Sequence, residues 1–327
     1  SMHDLSHARC SSVWSMASSE HIMIELAGHD VKISSPDKVF FTKRGETKLD
    51  LVRYYQSVET QILATMGGRP TLMQRFPDGA HGKSFFQKRV PTSVPDWLET
   101  TEVSTPNGTT SNALVVADLS HLLWAVNLGC LGFHPWPYQA ADPGVTNELR
   151  IDLDPSPGIT FDQVREAALE TKALFDDEDI TSYIKTSGSK GLHIYVRLLP
   201  RWNSYGVRAA AVAVARELER RRPDLLTAQW WKEDRGTRVF VDFNQNAPHK
   251  TVFGAWCVRP RVGGQVSTGI AWDEVSTVRP DELTLDVVPA RLAAEGDPWA
   301  GMNDAPQDIE SLLGWYDRDL EAGMMDA

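Results

Sequence analysis

At 327 residues, 42% hydrophobic and 24% charged, the chain has the composition of a globular protein, enough for one large domain or two modest ones. No apolar run approaches the roughly 18 residues that span a bilayer. Cys10, Cys130 and Cys257 are too few and too far apart for a disulfide framework or a zinc ribbon. The formal net charge of −11 argues at first against a nucleic-acid partner, but residues 271–327 hold fourteen acidic and three basic side chains, so residues 1–270 are balanced. A soluble protein of a reducing cytoplasm fits these features.

Residues 1–18 lack the charged-then-apolar order of a secretory signal and read as a flexible segment. A hairpin follows over residues 20–34, with Ala27-Gly28-His29-Asp30 as its turn. Thr47 is the expected N-cap of a helix whose apolar face runs from Leu49 to Leu63 before Gly67-Gly68 stops it. Strands are expected over 71–76, 84–89, 100–104 and 112–117, the last two joined at Pro106-Asn107-Gly108. A second half opens near Asn147 with the alternating strand Leu149 to Asp154. It continues with a helix over 161–175, strands over 182–185 and 192–199, a helix over 205–221 and a strand over 238–243. An amphipathic helix over 309–320, packing through Leu312, Leu313 and Trp315, ends the chain. The pattern is α+β: two closely packed lobes, with mixed or antiparallel sheets flanked by helices.

In Arg150-Ile151-Asp152-Leu153-Asp154, strand periodicity puts both aspartates on one face and Ile151 and Leu153 on the other. Paired carboxylates repel and raise each other's pKa, and a divalent cation such as Mg²⁺ or Mn²⁺ keeps both ionised. Alone, an Asp-x-Asp is more often a strand end turning into solvent. Asp242, embedded in Val239-Phe240-Val241-Asp242-Phe243, needs a partner when buried. A third carboxylate would let two metals be shared for an in-line displacement, and pairing with Arg235 or Arg238 is the alternative. Between them, Lys185 to His193 forms a turn with two glycines, three hydroxyls and two lysines. Its donors suit a triphosphate without Walker spacing, and a plain polar hairpin is the other reading.

Strand Asp-x-Asp, then Ser187-Gly188-Ser189-Lys190-Gly191-Leu192-His193, then an apolar-strand Asp resembles the three-motif signature of archaeo-eukaryotic primase-polymerases. The closest likeness is to the polymerase domain of bacterial DNA ligase D and stand-alone relatives such as primase-polymerase C, from about Ile33 to Tyr316. Pro36 to Phe40, Phe85 to Arg89, Phe133 to Pro137, Arg235 and Asp242 to Asn246 are similar as well. The resemblance implies a primase-polymerase catalytic domain over 19–306, with an N-terminal lobe over about 19–146, a catalytic lobe over about 147–270, the remainder packing back, and a C-terminal acidic helix over 307–327.

It further implies that Asp152, Asp154 and Asp242 are catalytic and hold two Mn²⁺ or Mg²⁺ ions, and that His134, Ser187, Lys190, His193, Arg235, Gln245 and Arg259 line the nucleotide site. Lys38 and Lys48 would grip a downstream 5′-phosphate, and Phe85 and Phe86 would stack on the template. On a strand, one of that pair should face the core. The implied activity is DNA-dependent DNA or RNA synthesis that fills short gaps or ends in repair, with a preference for ribonucleotides. The implied partners are primer-template or gapped DNA with a 5′-phosphate, nucleoside triphosphates and a separate ligase. No membrane is expected, and the place of action is the bacterial cytoplasm, with the nucleoid. A metal-dependent nuclease, a glycosyltransferase using Asp-x-Asp, and an idle DNA-end-binding module are the rivals.

Overall fold

The computed structural model describes residues 21–261 and 263–325; the expected flexible segment 1–18 lies outside them. In the first half, β1 (His21–Leu26) and β2 (His29–Ser34) form a hairpin, and β3 (Val39–Phe41) pairs with β4 (Glu46–Thr47). The first turn is only Ala27-Gly28, both at positive φ, so His29 and Asp30 belong to the strand. Thr47 caps α1 (Lys48–Ser57) in a capping box with Asp50. The expected single helix is broken at Val58, whose backbone leaves helical geometry, and α2 (Glu59–Met66) resumes beyond it.

β5 (Pro70–Arg75) is the hub of a five-stranded sheet with β6 (Phe85–Gln87), β7 (Thr100–Ser104) and β8 (Thr110–Val115). Its last member, β9 (Cys130–Pro135), pairs antiparallel with β5. Between β8 and β9 lies α3 (Leu119–Asn127), which sequence periodicity does not reveal because eight consecutive residues, Leu119 to Val126, are all buried. A helix surrounded by protein has no polar face to generate a repeat.

The second half is one six-stranded sheet in the order β13-β14-β10-β12-β11-β15. In chain order its parts are β10 (Glu148–Pro155), α4 (Phe161–Asp177), β11 (Tyr183–Thr186), β12 (Leu192–Arg197), α5 (Ser204–Arg221), β13 (Leu226–Thr227), β14 (Val239–Asp242) and β15 (Gly269–Ile270). Only the β13 to β14 pairing is parallel. Leu149, Ile151 and Leu153 alternate onto the face covered by α4 and α5, where each fully buried side chain contributes about 1.5–3 kcal/mol. The opposite face of β10 carries Glu148, Arg150, Asp152 and Asp154.

α6 (Val288–Glu295) follows, and α7 (Glu310–Glu321) closes the chain against α5, with Leu312 buried. One continuous apolar core runs from Val31 to Leu312 and includes residues of both sheets. The molecule is thus an α+β fold of two closely packed lobes. Among the described residues no helix is long and apolar enough to cross a membrane.

Candidate active site

Strand register assembles the site. Asp152 on β10 lies directly across from Asp242 on β14 and, on its other side, from His193 on β12. His193 in turn faces Lys185 on β11. The order Asp242, Asp152, His193, Lys185 is therefore one row across four adjacent strands, with Asp154 one pleat along from Asp152. The row runs from two carboxylates to two nitrogen bases.

Each aspartate has a distinct environment. Asp152 Oδ1 lies 3.3 Å from His193 Nε2. Burial pushes its carboxyl up, but His193, Lys185 and Arg259 outweigh that and hold it below the usual range. Asp154 is raised, first by burial and then by Asp152, and its Oδ2 lies 3.5 Å from Arg235 Nη1. Asp242 is pushed up to about 6, by burial first and Asp152 second. Its oxygens accept from the Asn244 backbone N–H and from Gln245 Nε2, both at 2.9 Å. Arg235 thus pairs with Asp154 rather than Asp242, and Gln245 touches the carboxylate itself.

Three oxygen donors on one face, two of them raised by burial and then by a neighbouring carboxylate, suit hard divalent cations. Among the described residues no three His, Cys, Asp or Glu side chains are drawn together as a ready-made cage, because His193 and Arg235 draw Asp152 and Asp154 toward different partners. His193 is buried, which lowers it to about 4 and keeps it neutral.

The turn from Ser187 to Gly191 is built around one hydroxyl. Ser187 Oγ accepts the Ser189 and Gly191 backbone N–H groups, each at 3.1 Å, which leaves its own hydrogen to donate. Gly188 has φ +75°, and a Cβ there would collide with Arg259. Arg259 Nε donates to the Ser187 carbonyl at 2.5 Å while its guanidinium covers Phe253, 4.1 Å from the ring centroid. Lys190 is exposed at the turn's tip. Segment 253–270 shores up this turn: Thr186 N–H donates to the Thr268 carbonyl, and Ser267 Oγ to the Thr186 carbonyl.

His134 stands on β9. It lies between Phe86 and Phe253 in edge-on contacts of 5.6 and 5.3 Å, and burial lowers it to about 3. Phe85 and Phe86 are both exposed, at 46% and 59%, against the expectation that one would face the core. Strand β6 sits at a sheet edge, and Phe85 lies flat enough over Arg75 for a 5.2 Å cation–π contact.

Lys38 is partly exposed, near Asp78 at 3.7 Å, and also donates to the Pro77 carbonyl. Lys48 is not on a solvated face. It is 5% exposed, and its Nζ donates to the carbonyls of Ser34 and Asn127 at 2.7 and 3.0 Å. Burial, then Lys38, lowers it to about 8.

Lys185, expected among the donors of the turn, is instead on β11, fully buried and held by Ser267, with burial and then Arg259 pushing its amine well below an ordinary lysine. Two further residues escape sequence reasoning. Asn246 clamps β10 beside Asp152: its amide accepts the Arg150 N–H at 2.8 Å and donates to the Arg150 carbonyl at 2.7 Å. Its place in the Asp242 to Asn246 motif is the signal that could have found it. Trp231, 64% exposed on the loop that Arg235 ties to Asp154, has no such signal.

Comparison with known proteins bears on this geometry. Residues 47–299 match the family described as LigD, primase-polymerase domain. The multifunctional non-homologous end joining protein LigD of Mycolicibacterium smegmatis is 35% identical over 279 residues, 84% of this chain and 36% of that protein. The bifunctional LigD of Bacillus subtilis is 32% identical over 280 residues, 85% of this chain and 45% of its own length. The chain thus spans less than half of either relative. A solved structure, the polymerase domain from Mycobacterium tuberculosis ligase D in complex with DNA, superposes with a TM-score of 0.79 at 31% identity, covering 85% of this chain and 99% of that one.

Proposed function

Since the chain belongs to the LigD primase-polymerase domain family, whose members are nucleotidyltransferases, we propose that it extends a primer 3′-end on a DNA template. The work is the filling of short gaps or ends during end-joining repair, with ribonucleotides preferred. The observation that carries the reading is the row Asp242, Asp152, His193 across three adjacent strands, flanked by the Ser187 turn.

Asp152 and Asp154 would hold both metal ions, Mn²⁺ or Mg²⁺, and Asp242 the one nearer the primer. When bound, such ions lower the pKa of the attacking hydroxyl and neutralise charge on the leaving pyrophosphate. The chain's own residues do the rest. The Ser187 hydroxyl, Lys190 and the Nη groups of Arg259 donate to triphosphate oxygens, while neutral His193 fixes Asp152 and His134 walls the site on the β9 side. These donors lie on the β11–β12 side of Asp152. In-line displacement needs the attacking and leaving oxygens on opposite sides of the phosphorus, so the primer hydroxyl arrives from the Asp242 side. Gln245 orients the carboxylate it meets there.

Phe85 and Phe86 supply a stacking edge for template bases, a contact tolerant of sequence. Lys38 and the Lys48 site take a downstream 5′-phosphate, and a ligase activity seals the product. The setting is the bacterial cytoplasm, with the nucleoid.

The test is a labelled primer on a gapped template with each nucleoside triphosphate and Mn²⁺ or Mg²⁺. Extension that vanishes in Asp152→Ala with Asp154→Ala is expected. A shortened primer would indicate a nuclease, and binding without extension an idle end-binding module.

A further inference from the structure

On the same sheet face, two pleats from Asp152, the structure buries three guanidinium groups around one carboxylate. Glu148 Oε2 pairs with Arg150 Nε at 2.7 Å and Oε1 with Arg197 Nη1 at 3.2 Å. Arg69, from the start of β5, joins them, and its Nε donates to the Thr65 carbonyl at 3.1 Å. The three arginines are 1%, 1% and 4% exposed for Arg69, Arg150 and Arg197, and Glu148 is 2% exposed. Glu148 is the acidic group that acts on Arg69, while Arg197 and Arg150 oppose its charge.

Among the described residues, three cations stand against one anion, an excess of two positive charges in the cluster. Burial of that kind is costly unless something compensates it. Their hydrogen-bonding groups are also incomplete. Arg69 Nη1, Arg150 Nη1 and Arg197 Nη2 are all buried with no protein partner.

The side chains of Arg69 and Arg197 line a cavity of about 310 Å³, together with Gly67, Gln139, Asn147 and Asn303. Asn147 Oδ1 is likewise buried and unpartnered; its amide orientation is interchangeable, and the flipped form turns an N–H to that position. Arg197 Nε is held by Asn303 Oδ1 at 2.9 Å, which fixes the fork.

We propose that this cavity is a binding site for one small tetrahedral oxyanion of the phosphate class, separate from the triphosphate turn. Planar guanidinium forks with free N–H groups are suited to such oxygens. The volume lies at the small end of ligand pockets and readily holds an ion with its water. With Arg69 and Arg197 only 1% and 4% exposed, a free ion reaches the guanidinium groups more readily than a phosphodiester chain does. Four residues along β10 and β12, at about 3.3 Å each, separate Glu148 and Arg197 from the Asp152 and His193 pair, with Arg150 between. The lining comes from α2, the start of β5, the end of β12 and the segment around Asn303. A bound oxyanion therefore ties the first half of the chain to the catalytic sheet.

The experiment is thermal unfolding and titration calorimetry of the full chain in a chelator, with sodium phosphate against sodium chloride at equal ionic strength. A saturable rise in Tm with one phosphate per chain is expected, unchanged in Lys190→Ala. Arg69→Gln and Arg197→Gln should each weaken phosphate binding by about tenfold or more, the scale of a charge-assisted hydrogen bond. Should either variant fail to fold, the wild-type titration still decides. No phosphate effect beyond that of chloride means a water-filled cavity and overturns the proposal. Loss of the effect in Lys190→Ala would move the anion to the triphosphate turn, and displacement of phosphate by oligothymidylate would show a surface open to nucleic acid; both also overturn it.

Discussion

Asp152 and Asp242 face each other across neighbouring antiparallel strands, partners in register. Like charges directly opposite on a sheet destabilise it, and the strain appears as an Asp242 carboxyl pushed up to about 6, by burial and by Asp152.

Asp242→Asn should therefore abolish extension while stabilising the metal-free fold. The folded pKa lies above the ordinary 3.8, so stability from this group is full below about pH 4 and lost as pH rises through about 6. The variant's gain should be absent near pH 4 and largest above pH 6, roughly 2–4 °C in Tm for each kcal/mol. Thermal melts in a chelator across pH check this. Mn²⁺ should raise the wild-type Tm more than that of the variant.

Recognition of the 5′-phosphate should depend on pH through Lys48. Its ammonium is buried and lowered to about 8, so the free protein loses that charge as pH rises through 8. Affinity for gapped DNA with a 5′-phosphate, relative to the same DNA without it, should fall between pH 7 and 9. Lys48→Met should flatten the profile, and a profile that persists in this variant would assign the effect elsewhere.

Phe86→Ala and Phe85→Ala should weaken template binding by about 1–3 kcal/mol per lost stack. Both rings are exposed, so Tm should stay within about a degree or two, as expected for a surface change. Fluorescence anisotropy with single-stranded template, alongside a melt, separates the two effects.

Gln245→Ala should leave the fold intact and reduce apparent Mn²⁺ affinity about 10–100-fold, the usual loss when a hydrogen bond orienting a ligand is removed. Asn246→Ala should do the reverse. It strips both backbone bonds from Arg150 and should cost about 1–3 kcal/mol of stability for the buried groups left unpaired. Metal titration and denaturant unfolding of the two variants form a matched pair.

Much of the catalytic sheet is legible in the sequence because polar residues interrupt apolar strands at a period of two. That alternation marks Asp152 and Asp154, and the glycines mark the turn after Thr186. What local pattern cannot carry is pairing at a distance. Nothing near Arg235 says that it reaches Asp154 while anchoring the Trp230 carbonyl. β15 is two residues long and matters only because it borders β11, more than eighty residues earlier. Lys48 follows a helix cap and looks like any surface lysine, yet the fold brings two carbonyls to its amine. Burial on all sides hides α3 for a similar reason: amphipathic contrast is a property of surfaces.

The uninterrupted core shared by the two sheets has a mechanical consequence. It provides no cleavage plane, so the halves cannot swing apart as rigid bodies without exposing dozens of apolar side chains to water. Any change of shape on binding then falls to side chains rather than to a clamshell motion. Exposed groups such as Lys190 are free to change rotamer, whereas Arg235 is held by the Gln229 and Trp230 carbonyls against Phe240. Such side-chain rearrangements act over ångströms rather than nanometres.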